Sequence, residues 1–402
     1  MSDRFPFAIP VFMSLILLIS GCTSSSNGPP TPADKIQASV QADWIQYQRS
    51  NGLPGGGLIV YIETPAGNYV ASCGMPVGVD QNSHFRIASN TKTFTASAIM
   101  LLYQQGLLDI DHTIVTTMPG KLIPYVPDTP DYNIPNKANI TIKQLLSHTA
   151  GVFDVTNDAV PASCPAPYAG QSYTDYVLET EPNHQFSPTE LVGVDALCHA
   201  SYFVPGADYK YSNQGYSILA TIIERVSGLT YDQYVHQNLV TLNGLTSTFI
   251  PMLGTDQTIP APFTPGYVWF EGLFLDRTIS NMSLNIAEGN IISTPVDLAR
   301  WIKRLLKAQA GLNAATVSAM ETLTPQSVAK GSKYGLGLSY MDGLGYGHTG
   351  AHEGYLSLMA YDAAADVTTI AYFNVWDYAN LLTAQANLLM QAAKNARAAV
   401  GY

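Results

Sequence analysis

Short runs of this sequence carry side chains whose types and spacing could do covalent chemistry. In Ser89-Asn90-Thr91-Lys92 a hydroxyl and an amine stand three residues apart at a helix start, about one turn from each other on one face. A serine hydroxyl is a weak nucleophile until a neighbour takes its proton. A desolvated lysine, neutral for part of the time, can be that neighbour. The helix N-terminus adds backbone N–H groups that favour developing negative charge. Phe85-Arg86-Ile87-Ala88 precedes the run and an apolar helix face follows it, so Lys92 sits close to a buried surface. The same spacing also arises by chance on solvated helices.

The second run is Tyr211-Ser212-Asn213. A phenol near a cationic lysine can shuttle a proton to a leaving group, and an asparagine amide can bind a substrate amide carbonyl. A Pro-Gly turn (Pro205-Gly206) followed by an asparagine helix cap would account for Asn213 without chemistry. The third is His348-Thr349-Gly350, among small residues that would let a substrate backbone pair beside a strand edge. Its other reading is a glycine-rich hairpin. His348 and His352 suggest a metal pair only weakly, because a strand or loop does not bring residues four apart together, and His352-Glu353 lacks the second histidine of a zincin motif. No metal and no cofactor is expected.

These runs need a scaffold. Residues 56–64 and 68–73 are β-rich on either side of Pro65-Ala66-Gly67 and read as a hairpin. Residues 91–108 switch to helical period, with Phe94, Ala98, Leu101 and Leu102 on one face. Thr141 and Gln144 have capping-box spacing before a short helix. Residues 213–226 carry a helical stripe that Gly228 ends, and Thr294-Pro295 opens another helix. Three β-like runs, 334–340, 355–361 and 367–373, precede a helix over 378–400. The order predicts an α/β (α+β) fold in which N- and C-terminal segments share one mainly antiparallel sheet, with a helical lobe inserted between them.

At the N-terminus, residues 11–19 form an apolar run too short to span a bilayer comfortably, and Ile19-Ser20-Gly21-Cys22 follows the form of a bacterial lipoprotein cleavage site. The expected organisation is a signal peptide over 1–21, acylation at Cys22, a flexible tether over 22–40 and a hydrolase domain over 41–400. The chain would then be exported to the bacterial cell envelope and held at a membrane. An ordinary signal peptide with an unprocessed cysteine is the alternative. Cys164 and Cys198 bracket an irregular segment and are expected to pair once exported, while Cys73 reads as a buried small hydrophobe. A net charge of −11 argues against nucleic-acid partners.

Taken together and in this order, Ser89-x-x-Lys92, Tyr211-x-Asn213 and His348-Thr349-Gly350 resemble the serine β-lactamase and penicillin-binding family. The branch is that of class C β-lactamases, D-alanyl-D-alanine carboxypeptidases and related esterases, and the resemblance covers residues 44–388. It implies that Ser89 is acylated, Lys92 is the general base or its tuner, Tyr211 relays the proton and Asn213 binds the acyl-side amide. His348, Thr349 and Gly350 would bind substrate, and the N–H groups of Ser89 and Ala351 would form the oxyanion hole. His148, in the family-like Leu145-Leu146-Ser147-His148-Thr149 run, reads as structural. Class C β-lactamases usually have lysine where this chain has His348. Histidine there would bind a substrate carboxylate with a charge that titrates between about pH 5 and 8. Residues 154–181 look longer than the family needs, and Tyr168, Tyr173 and Tyr176 either wall the cleft or decorate a surface insertion. The expected function is acyl-enzyme hydrolysis of a D-amino-acid peptide or β-lactam-like amide, with ester hydrolysis or a penicillin sensor that never turns over as alternatives.

Overall fold

The computed structural model describes residues 29–378 and 381–402, so Cys22 and the expected signal segment lie outside the described residues. The strands are β1 (Leu58–Thr64), β2 (Gly67–Cys73), β3 (Phe85–Arg86), β4 (Tyr267–Phe270), β5 (Leu273–Asp276) and β6 (Ile292–Ser293). After them come β7 (Ser339–Met341), β8 (Gly345–His352), β9 (Tyr355–Asp362), β10 (Val367–Phe373) and β11 (Val375–Asp377). The helices are α1 (Pro32–Asn51), α2 (Thr91–Gln104), α3 (Ile142–Leu146), α4 (Tyr173–Leu178), α5 (Pro188–Cys198) and α6 (Gln214–Ser227). They continue as α7 (Tyr231–Val235), α8 (Pro295–Leu306), α9 (Ala314–Glu321), α10 (Pro325–Ala329) and α11 (Leu381–Ala399). Among the described residues, a six-stranded sheet runs β2-β1-β10-β9-β8-β7 with every neighbouring pair antiparallel. N- and C-terminal segments therefore share it, as expected, and the helices from α2 to α10 stand between them in sequence.

Period-two alternation gives this sheet two apolar faces. Leu58, Val60 and Ile62 of β1 and Leu356, Leu358 and Ala360 of β9 pack with α1 and α11, against Ile36, Val40, Trp44, Leu389 and Ala393. The alternate residues Ile59, Tyr61, Met359 and Tyr361 face the other way, into a larger core with Phe94, Leu298 and Trp301. Helix α2, which follows directly on Ser89, is central to that second core and buried along most of its length.

Several expectations change. The tether over 22–40 gives way to helix α1 at Pro32: Thr31 and Asp34 form a reciprocal capping box, and Ile36, Val40, Trp44 and Tyr47 make a buried stripe. The run 334–340 is not one strand. Gly337 adopts a left-handed φ of +75°, and a Cβ there would come within 2.2 Å of the Ala96 methyl, so the chain bends over α2 and only β7 is left to pair. The glycine-rich 345–352, outside the expected strands, forms β8 between β9 and β7. Cys73 is half-buried and free, because β2 is the sheet's edge strand. Cys164 and Cys198 do form a disulfide. It sits in a small separate core with Phe153, Val155, Phe186 and Leu191, against which Tyr168 and Tyr173 pack.

Candidate active site

Ser89 lies in the single tight turn Ala88–Asn90 that leads from β3 into α2. Ala88 takes a left-handed φ of +49°, an uncommon conformation for a residue with a side chain, which swings the serine out of the strand path. The turn is fastened from behind. Asn90 Nδ2 donates to the Ile87 carbonyl (2.7 Å) and to Ser357 Oγ of β9 (2.8 Å). In front of it runs β8. Strand β7 pairs only as far as Ser339 with Gly347, so the edge of β8 from His348 onward is free to meet the nucleophile turn. The approach is close enough to require glycine: a Cβ on Gly350 would fall 2.3 Å from the Ile87 carbonyl oxygen and 2.9 Å from Asn90 Nδ2. Thr349 is exposed beside it.

Lys92 is fully buried, and its Nζ meets Ser89 Oγ at 3.3 Å, Asn213 Oδ1 at 2.6 Å and the Glu288 carbonyl at 2.8 Å. Burial lowers its pKa to about 8, with the charges of Glu288 and Asp154 pulling the other way. The ammonium rests 4.9 Å over the Tyr211 ring and 5.3 Å over that of Tyr216. The Tyr211 hydroxyl is buried and faces Ser89; burial pushes its pKa well above the usual phenol value, and the hydroxyl of Ser89 pulls it down. Glu288, buried behind Lys92, is pushed up to about 8 by burial against the pull of that lysine.

The sequence-predicted residues are spread over the Ala88–Asn90 turn (Ser89), the first turn of α2 (Lys92), the lead-in to α6 (Tyr211, Asn213) and β8 (His348, Thr349, Gly350, Ala351). Two of them differ from expectation. His348 is buried, and burial together with Lys92 drops its pKa to about 3, so the ring is neutral from pH 5 to 8 instead of titrating there. Its Nε2 shares a hydrogen bond with the Tyr334 hydroxyl (2.9 Å). Asn213 spends both ends of its amide inside the protein, Oδ1 on Lys92 and Nδ2 on Thr156 Oγ1 (2.9 Å), because the segment after Gly151 folds against it. His148 does hold a loop, accepting the Ser212 N–H on Nδ1 (3.2 Å), and it also packs 4.2 Å from the Tyr211 ring. Glu288, Asp154, Thr156 and Tyr334 escaped the sequence reading. Each is a single residue without motif spacing, and only the general need of a buried lysine for counter-charge and acceptors points to them.

A buried amine beside a hydroxyl, a phenol facing that hydroxyl and a free strand edge in front are the parts that acyl transfer to a serine requires. The chain belongs to the β-lactamase family, whose model matches residues 34–394. It is 33% identical over 162 residues to Protein flp of Staphylococcus aureus (strain MW2), a match covering 40% of this chain and 26% of that protein. It is 26% identical over 298 residues to the protein PbpX of Bacillus subtilis (strain 168), covering 74% of this chain and 63% of that one. The chain therefore spans less than two thirds of these curated relatives. Among solved structures, a D-stereospecific amidohydrolase from Streptomyces sp. superposes with a TM-score of 0.72 at 26% identity, over 90% of this chain and 98% of that one.

Proposed function

We propose that the protein is a serine hydrolase that cleaves amides through a Ser89 acyl-enzyme, and that its preferred amides have leaving groups without a carboxylate, as in a D-amino-acid amide. The observation that carries this is the hydrogen-bond set of Lys92. Asn213 Oδ1 and the Glu288 carbonyl only accept, so they take both N–H bonds of the neutral amine, and the lone pair is left for the Ser89 hydroxyl. Lys92 accepts the Ser89 proton as Oγ attacks the acyl carbon. The oxyanion develops between the N–H groups of Ser89 and Ala351. Tyr211, over which the lysine sits, passes the proton to the leaving nitrogen, and water then releases the acyl group.

The leaving-group preference rests on charge. A carboxylate at the scissile end is best held by a cation, but burial keeps His348 neutral and its Nε2 already meets the Tyr334 hydroxyl (2.9 Å). The likeness to a D-stereospecific amidohydrolase points the same way. Turnover of a D-amino-acid amide, a D-Ala-D-Ala peptide, benzylpenicillin and a p-nitrophenyl ester should be compared side by side. The amide is expected to give the higher kcat/KM of the two D-amino-acid substrates. A clear preference for the free-carboxylate peptide would reverse the leaving-group assignment, and a stable penicillin adduct with no turnover of anything would make the protein a sensor.

A further inference from the structure

We propose that Asp154 and Thr156 are positioning residues that fix which end of the Asn213 amide faces Lys92, and so keep the lysine's lone pair for Ser89. The proposal rests on the serine-hydrolase reading above. An asparagine amide is nearly symmetric in shape, and only its partners decide whether oxygen or nitrogen points a given way. Here the decision starts at Asp154, a buried carboxylate that can only accept. Its Oδ1 takes the Thr156 hydroxyl proton (2.8 Å) and the Thr156 N–H (3.2 Å), while Oδ2 takes the Asn213 N–H (2.8 Å) and Asn157 Nδ2 (2.8 Å). With its single proton committed, Thr156 Oγ1 can only accept from Asn213, and it meets Nδ2 at 2.9 Å. The amide oxygen is thereby turned to Lys92. In the opposite orientation an N–H would point at Nζ: it would repel the ammonium, and in the neutral state it would capture the lone pair that Ser89 needs.

The segment is built to hold this geometry. Val152 bridges to Ser201, the Asp154 N–H donates to the Tyr202 hydroxyl (3.2 Å), and Phe153 and Val155 enter the small core around the Cys164–Cys198 disulfide. The start of the apparent insertion thus serves the catalytic centre. Other groups around Lys92 are the Tyr211 and Tyr216 rings, Glu288, His148 and His348.

The test compares Thr156→Val, which keeps the shape and removes the oxygen, with Thr156→Ser, which restores it, in the full chain on a substrate the wild type turns over. Thr156→Val should lower kcat by roughly 10- to 100-fold, the scale of a misaligned reacting group, with little change in KM. Its acid limb should move to lower pH, because the ammonium loses an acceptor, and Thr156→Ser should return both to wild type. Wild-type kcat and an unmoved limb in Thr156→Val overturn the proposal. So does a loss that merely follows the folded fraction and is not rescued by serine. Should Thr156→Val fail to fold, Thr156→Ala is read in its place. No turnover in the wild type overturns the hydrolase reading itself, and this inference with it.

Discussion

Lys92 is the base in the proposed mechanism, and its environment sets the pH dependence expected of it. A base acts only when deprotonated, and burial holds the folded pKa near 8, below the usual lysine value of 10.5. Acylation of Ser89 is therefore expected to rise with pH through about 8 and to fall roughly tenfold per unit well below it. His348 adds no limb of its own between pH 5 and 8, since its pKa lies near 3. Stopped-flow acylation rates from pH 5 to 9 check this; a rate that declines across that range would restore a charged His348. Ser89, Lys92, Tyr211 and Asn213, which the structure brings together, stood out in the sequence because they come in short spacings, Ser-x-x-Lys and Tyr-x-Asn. The sequence could not display that His348 is buried, because the rings packed against it, Tyr334 and Tyr211, lie elsewhere in the chain.

At the scale of elements, the site is a contact between a turn and a strand edge, and Gly350 sets its closeness. Gly350→Ala places a methyl against the Ile87 carbonyl and the Asn90 side chain, so β8 must move away from Ser89. The expected outcome is a loss of about 10²-fold in kcat/KM, the cost of misplacing reacting groups by about 1 Å. Steady-state kinetics on the purified variant check it, and wild-type kcat/KM would show that β8 does not form the oxyanion hole. Local signals in the sequence worked where the physics is local: the Thr141–Gln144 capping box and the Thr294-Pro295 helix start stand as read. They failed where neighbours decide. Strand β8 is glycine-rich and stood outside the three expected β-like runs, yet pairing with β9 on one side and β7 on the other makes it a strand of the main sheet. The run 334–340 reads as a strand and bends instead, because Gly337 passes over α2.

For the whole molecule, the sheet separates a core under α1 and α11 from the core that carries α2 and the site. Stability and catalysis should separate in the same way. Trp44 sits on the far side, its ring 5.7 Å from Phe373. Trp44→Ala is expected to cost about 3–5 kcal/mol of stability while leaving the kcat/KM of folded protein near wild type. Denaturant unfolding and kinetics on the same sample check both, and a matching loss of kcat/KM would mean that the two cores are coupled. The antiparallel sheet and inserted helical lobe were legible in the order of elements; helix α1 was not, because a Ser- and Pro-rich lead-in masks its stripe. The central claim of the proposed mechanism is one bond, formed at Ser89. Intact-mass measurement after incubation with a p-nitrophenyl ester, followed by peptide mapping, tests it most directly. The account predicts a single adduct on Ser89 in the wild type, slower labelling in Lys92→Met and none in Ser89→Ala. An adduct that persists in Ser89→Ala, or maps to another residue in the wild type, would contradict it.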